Sequence, residues 1–98
     1  SYSMSKAAGE AACRCLAIEL ASKNIRVNSI APGFINTPML DDYKSLAGED
    51  AINKIRQRQY LGIGEPSDVA NLICFLISDA SRFITGSTLT IDGGYTSN

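Results

Sequence analysis

Two short, β-branched segments separated by a long helical crossover constrain this sequence more than any other feature. Residues 25–30 (IRVNSI) and 88–91 (TLTI) are each typical of a strand, and turn residues follow both, at 31–33 and 92–94. A strand, a crossover that holds a helix and a second strand give parallel pairing, normally right-handed. Because a parallel pair is marginal without neighbouring strands and covering helices, we expect the chain to be part of a larger sheet.

Helical patterns occupy most of the remaining chain. The spacing of small apolar residues predicts a helix over 3–22, which Lys23-Asn24 ends because lysine suits a helix C-terminus and asparagine tolerates the left-handed conformation. Residues 40–60 predict one or two weak, polar helices, and a last helix begins around Pro66, with Asp68 accepting from its free amides. The expected core stripe of that helix is Val69, Leu72, Ile73, Leu76 and Ile77. The resulting order of helix, strand, helices, helix and strand indicates an α/β protein.

Composition restricts the classes of function. The chain has 98 residues, of which 45% are apolar and 19% charged, as in one globular unit. Nine basic residues against ten acidic ones give a net charge of −1, so the basic surface of a nucleic-acid binder is missing. The apolar stretches are too short for a membrane span and the first residues do not form a secretion signal, so we expect a soluble, cytoplasmic protein.

The cysteines do not indicate a disulfide framework or a metal centre. There are three of them, an odd number, and the sequence has no histidine. Cys13 and Cys15, two apart on a helix, point in different directions and cannot chelate a metal together. We therefore expect no metal site, and we expect Cys13, Cys15 and Cys74 to be buried, reduced thiols.

The first helix carries a tyrosine and a lysine on one face. Tyr2 and Lys6 are four residues apart, about one helical turn, so the ammonium can lie near the phenol oxygen. A cation at that distance is expected to lower the pKa of the phenol of Tyr2. Such a group can protonate a carbonyl that receives a hydride and can act as the base in the reverse reaction. Taken alone, such a pair usually means an aromatic ring resting on a lysine stem.

Four stretches of the chain resemble the short-chain dehydrogenase/reductase family in order and spacing. They are YSMSKAA at 2–8, IRVNSIAPGFINTPM at 25–39, GEPSDVANLICFLISDASRFITG at 64–86 and LTIDGGY at 89–95. The resemblance implies a doubly wound, Rossmann-type parallel sheet, of which residues 1–98 would be the C-terminal portion. It also implies an oxidoreductase that uses NADP or NAD. The family's glycine-rich phosphate loop and its catalytic serine and asparagine have no counterpart here, so we expect the chain alone to be inactive.

The resemblance also implies roles for individual residues. Tyr2 would be the proton donor, and Lys6 would lower its pKa and bind the nicotinamide ribose, so both would also contact the cofactor. The loop beside the nicotinamide would contain Pro32, Gly33 and Ile35, with the backbone of Ile35 offered to the carboxamide. Thr37 would add a hydroxyl toward the carboxamide or pyrophosphate. Without the family, Pro32-Gly33 would be read as a plain turn.

Residues 39–61 match the segment that covers the substrate in the family. The candidate substrate-contacting residues are Met39, Leu40 and Tyr43, with Leu46 and Tyr60 as further walls. The overall pattern is most similar to bacterial 3-oxoacyl-acyl-carrier-protein reductases of fatty acid synthesis, which reduce a ketone with NADPH. Three cations, Lys54, Arg56 and Arg58, could then face an acidic carrier protein. Alternating charges on a polar helix are, however, more often only a solvent-exposed face.

Two other hypotheses remain open from the sequence. One is a sugar-alcohol, gluconate-type or hydroxysteroid dehydrogenase of the same family. The other is a non-catalytic piece that only assembles, because the small-residue first helix and the last helix and strand match the surfaces through which family members usually form tetramers. The tyrosine and lysine of the first helix favour an enzyme, since assembly does not require them.

Overall fold

The computed structural model describes residues 2–97, with the backbone alone at residues 2 and 3. Its elements follow the predicted order: α1 (Tyr2–Leu20), a 3-10 turn (Ala21–Lys23), β1 (Ser29–Pro32), α2 (Pro38–Ala47), α3 (Glu49–Arg58), α4 (Pro66–Ile77), a 3-10 turn (Asp79–Ser81), β2 (Thr88–Ile91) and a 3-10 turn (Tyr95–Ser97). The strands form a two-stranded parallel sheet, so the predicted α/β class is confirmed. The chain divides into two compact units, Ser1–Ala31 with Ile73–Leu89, and Pro32–Leu72 with Thr90–Asn98.

In the first unit, α1 ends where the sequence predicts. Asn24 has the left-handed conformation (φ 58°), and its N–H donates to the carbonyl of Ala21 at 2.9 Å. Among the side chains of α1 that the structure describes, Cys13 and Ala17 are buried. Gly86 passes close to this helix with φ 72°, and a Cβ there would lie 3.3 Å from the Cβ of Ala17. The small residues of α1 therefore allow close approach of backbone, as helices of this composition do.

The first strand begins four residues later than predicted. Val27 pairs with a loop instead of a strand: its N–H donates to Oγ1 of Thr85 at 3.0 Å, and its carbonyl accepts from Gly86 at 2.7 Å. The side-chain amide of Asn28 binds the same loop. Strand pairing starts with the N–H of Ser29, which donates to the carbonyl of Ser87 at 2.9 Å. A pattern of β-branched residues predicts extended backbone. It does not tell whether that backbone forms its hydrogen bonds with a strand or with a loop.

An arginine that the sequence did not single out closes the end of α4. Arg26 Nη2 donates to the carbonyls of Leu76 (2.8 Å) and Ser78 (3.1 Å), and Nη1 donates to Ser81 Oγ (3.1 Å) and to the carbonyl of Ile84 (3.2 Å). The hydroxyl of Ser81, which is fully buried, itself donates to Leu76 at 2.9 Å. These donors satisfy carbonyls that the end of a helix leaves without intrahelical partners.

Two predictions about burial are wrong in part. Of the expected stripe on α4, Leu76 is buried, Val69 and Leu72 are half-buried, and Ile73 and Ile77 are exposed. Among the cysteines, Cys13 is buried, whereas Cys15 and Cys74 are exposed. The three cysteines are free, as predicted. Helical periodicity identifies residues that share a face, but it does not tell whether this chain covers that face.

In the second unit, the weak polar segment forms two helices. Gly48, with φ 90°, separates α2 from α3, and Ile52 and Ile55 supply the buried side of α3. Ahead of α4, the carboxylate of Asp68 accepts the N–H of Glu65 at 2.8 Å, which is the back-bonded half of a capping box. No helix in the described range is long and apolar enough to cross a membrane.

Candidate functional site

The loop that follows β1 is held by backbone pairing. Gly33 continues the sheet, donating its N–H to the carbonyl of Ile91 at 3.0 Å. Ile35 and Gly64 then form an isolated parallel bridge, in which Asn36 N–H donates to Gly64 (2.7 Å) and Gly64 N–H donates to Phe34 (3.1 Å). In parallel pairing these bonds use the two neighbours of the bridging residue. The N–H and carbonyl of Ile35 therefore face away from Gly64 and take no part in the bridge.

A buried glutamine fixes the same loop from one side. Gln59 is 1% exposed, and its Oε1 accepts the N–H of Phe34 at 2.7 Å. Its Nε2 donates to the carbonyls of Phe34 (3.2 Å) and Gly62 (2.8 Å). Gln59 was not among the predicted site residues, although it lies four residues after Ile55 and so continues the buried stripe of α3. The sequence signal that could have identified it is a polar residue at a position where the helical spacing predicts burial.

Packing within the unit explains why position 33 is glycine. A Cβ on Gly33 would lie 2.5 Å from Gln59 Oε1 and 2.8 and 2.9 Å from the Cβ and Cα of Asp92. The space beside Gly33 is therefore occupied by Gln59 and Asp92. A plain turn after a strand would not require this close approach.

Asp92 organises the turn that ends β2. Its Oδ1 accepts the N–H of Gly94 and its Oδ2 accepts the N–H of Thr96, both at 3.0 Å. Burial by itself raises the pKa of Asp92, but hydrogen bonds from Thr96, Gly94 and Tyr95 outweigh that effect and hold the pKa below its usual value. The carboxylate is thus a structural acceptor, in line with the strand-end turn that the sequence predicts.

An aromatic cluster surrounds the ring of Phe34. The ring centroid lies 6.3 Å from that of Tyr43 on α2 and 5.9 Å from that of Tyr95. Arg58 stacks on Tyr95, with its guanidinium carbon 4.3 Å from the ring centroid, and donates to the hydroxyl at 3.3 Å. Arg58, one of the cations expected to face a carrier protein, therefore contacts an aromatic ring of its own unit.

An open cleft of about 300 Å³ lies in the second unit. Of the predicted substrate-contacting residues, it includes Leu40 only; Met39, Leu46 and Tyr60 are exposed elsewhere, and Tyr43 is part of the aromatic cluster. Thr37 precedes α2, and its side chain makes no capping hydrogen bond, so its hydroxyl is not used by the helix. The cleft is lined by Asn36, Leu40, Asp41, Lys44, Ile52, Arg56, Ile63 and Glu65.

The predicted catalytic pair belongs to the first unit. Tyr2 and Lys6 lie one turn apart in α1, and Lys6 is exposed. The side chain of Tyr2 lies outside the described residues, so the proximity of phenol and ammonium stays a prediction. Among the residues that the structure describes, no group of three or more acidic or cysteine side chains is arranged to hold a metal ion.

Comparison with known proteins assigns the family. Residues 1–96 match a family model described as Enoyl-(Acyl carrier protein) reductase. The chain is 44% identical over 93 residues to 3-oxoacyl-[acyl-carrier-protein] reductase FabG of Thermotoga maritima, covering 95% of this chain and 37% of that protein. It is 40% identical over 98 residues to the NADP-dependent (R)-specific alcohol dehydrogenase of Lentilactobacillus kefiri, covering 97% of this chain and 38% of that protein.

A solved structure supports the same assignment. The structure of 4-hydroxyisoleucine dehydrogenase complexed with NADH matches with a TM-score of 0.89 and 41% identity, covering 99% of this chain and 40% of that one. The chain thus spans well under half the length of the relatives it matches. Sequence and fold agree over almost all of its residues, and the chain belongs to the short-chain dehydrogenase/reductase family.

Proposed function

We propose that the protein containing this chain is an NAD(P)-dependent oxidoreductase that interconverts a ketone and a secondary alcohol. The observation that supports this most directly is the loop after β1, where Ile35 directs both of its backbone groups away from the bridge to Gly64. A nicotinamide carboxamide offers one acceptor and one donor group, which complement an N–H and a carbonyl from one residue. The loop therefore fits the cofactor that the family resemblance implies.

The other proposed roles follow the family pattern. The cofactor supplies or accepts the hydride when bound. Tyr2 gives its phenolic proton to the carbonyl oxygen of the ketone, and the ammonium of Lys6 stabilises the phenolate and binds the nicotinamide ribose. The hydroxyl of Thr37, which caps no helix, is offered to the carboxamide or pyrophosphate. Pro32 and Gly33 form the start of the nicotinamide loop.

The proposed substrate is a 3-oxoacyl group carried on acyl carrier protein. The similarity to the Thermotoga maritima reductase supports it, and Met39, Leu40 and Tyr43 are the proposed substrate contacts. Lys54 and Arg56 are exposed on α3 and remain candidates for contact with an acidic carrier protein.

The whole protein is proposed to be a cytoplasmic homo-tetramer in which this chain is the C-terminal portion. The exposed apolar side chains of α4, Ile73, Phe75 and Ile77, support a further covering surface there.

The experiment uses the full-length protein and the substitution Tyr2→Phe. Because general acid catalysis contributes about 10²- to 10⁴-fold, we expect reduction of an acetoacetyl thioester by NADPH or NADH to slow by that factor. Tyr95→Phe instead removes a tyrosine hydroxyl from the aromatic cluster. It serves as the matched control and should keep near wild-type turnover. Cofactor oxidation is followed in parallel with a polyol or steroid substrate, which separates the other dehydrogenase hypotheses. Undiminished activity in Tyr2→Phe contradicts the proposed acid.

A further inference from the structure

We propose that Gln59 is a positioning residue for the nicotinamide loop. Its amide holds the Phe34–Ile35 peptide and thereby sets the direction in which Ile35 presents its N–H, and it acts through Phe34 without contacting the cofactor. This inference rests on the proposed function and adds to it a residue outside the family motifs that the sequence displays. It assigns a purpose to the most deeply buried polar side chain of the second unit.

The side-chain amide of Gln59 pairs with the backbone of Phe34 much as a residue of a neighbouring strand would. Gln59 bonds both backbone groups of Phe34, and Gly64 bonds the carbonyl of Phe34 and the N–H of Asn36. These contacts lie on either side of Ile35 in sequence and hold the two flanking peptide units. The peptide groups of Ile35 consequently cannot rotate without breaking one of these bonds.

The chemistry of the site requires an amide. Oε1 faces an N–H and Nε2 faces two carbonyls, so each end of the side chain meets the only kind of partner that it can bind. A carboxylate would place an acceptor against the carbonyls of Phe34 and Gly62. An apolar side chain of similar length would leave three partly buried backbone groups without this partner.

The space around the amide is also reserved for it. Gly33 lacks the Cβ that would lie 2.5 Å from Oε1, so the loop and the glutamine fit only as a pair. The third hydrogen bond, to Gly62, ties the loop to the segment that follows α3. The segment that follows α3 and the proposed nicotinamide loop are therefore bonded through this side chain as well as through the backbone of Gly64.

The test compares two ligands on full-length protein. NADH or NADPH carries the nicotinamide, whereas ADP-ribose, or its 2′-phosphate for an NADP enzyme, lacks it. We expect Gln59→Met to weaken binding of the reduced cofactor by about tenfold to a hundredfold while ADP-ribose binding changes less than about twofold, because misplacement of a loop by about 1 Å has effects of that size. Gln57→Met is the matched control: Gln57 is an exposed glutamine in the last turn of α3, and its replacement should change neither affinity.

Two further measurements keep the inference testable if Gln59→Met does not fold. Gln59→Glu keeps the acceptor for Phe34 and loses the two donated bonds, so it should show the same ligand discrimination to a smaller degree. In the cofactor-free protein, hydrogen exchange at the Phe34 amide should be slow in the wild type and should stay slow in the Glu variant, which keeps its acceptor. A Phe34 amide that exchanges rapidly in the wild type overturns the positioning role.

The possible outcomes separate the two proposals. Equal weakening of cofactor and ADP-ribose, or no weakening of either, overturns the positioning role and leaves the proposed function standing. A wild-type protein that binds ADP-ribose and its nicotinamide-bearing cofactor equally also overturns the positioning role. A wild-type protein that binds no dinucleotide overturns both proposals.

Discussion

Asp92 shows how a single carboxylate can make the end of a strand sensitive to acid. Its two oxygens accept backbone N–H groups from Gly94 and Thr96, and its pKa lies below the usual value. The lowered pKa means that the folded state binds this proton less readily than the unfolded chain does. The stabilisation is therefore fully present above the unfolded pKa and is lost as the pH falls through the folded pKa.

We predict that Asp92→Asn flattens this acid dependence. The wild-type protein should lose more free energy of unfolding than the variant between about pH 5 and pH 3, because only the wild type must protonate this hydrogen-bonded carboxylate. At neutral pH the variant should be the less stable of the two. Urea unfolding at a series of pH values measures both differences, with the exposed Asp42→Asn as control. Parallel pH profiles for the wild type and Asp92→Asn would contradict the prediction.

The residues whose roles could be predicted from the sequence are those with partners close along the chain. Asn24 and Asp68 were predicted in their roles because each bonds backbone within three residues. Gln59 and Arg26 were missed because Phe34 lies 25 residues from Gln59 and the partners of Arg26 lie 50 to 58 residues away. Residue type predicts local capping, whereas distant bonds depend on the packing of whole elements.

At the scale of elements, the boundaries of β1 also depend on contacts that are distant along the chain. The strand was predicted over 25–30 and forms over Ser29–Pro32. Val27 and Asn28 bond the loop before β2 instead, through contacts that no periodicity predicts. β2, by contrast, was predicted at its observed bounds, because Asp92 and the glycines after it stop the strand by local turn chemistry.

Arg26 connects two elements, because its guanidinium joins the segment before β1 to the end of α4. We expect Arg26→Ala to lower the free energy of unfolding by about 2–4 kcal/mol, because hydrogen bonds to a charged donor are worth about 1.5–3 kcal/mol each and are not additive. Arg26→Lys should recover only part, since an ammonium lacks the planar fork. Urea unfolding measures the loss, and Arg14→Ala, at an exposed site on α1, is the control. An Arg26→Lys variant as stable as the wild type would show that the planar fork contributes nothing.

At the scale of the whole molecule, the exposed apolar side chains favour association of these 98 residues with a covering surface. Leu16 and Ile18 on α1, Ile77 on α4 and Phe83 after it are exposed, with Phe83 at 91% and Ile18 at 79%. The pair of parallel strands has no further strand beside it in the described chain. Both features are unusual for a stable monomer, because parallel strands are normally covered and large apolar patches usually mark contact surfaces.

We predict that a polypeptide of these 98 residues self-associates and binds a hydrophobic dye. Burial contributes about 25 cal/mol per Å² of apolar surface, so association that covers the faces of α1 and α4 is favourable. Replacing Ile18 and Phe83 together by serine should shift the polypeptide toward monomer in analytical ultracentrifugation and reduce dye fluorescence. The matched control replaces Leu46 and Leu61, two exposed leucines of the second unit, by serine. Because they lie outside these helical faces, association should change little. A wild-type polypeptide that is monomeric, unfolds cooperatively and binds no dye would show that these faces need no partner.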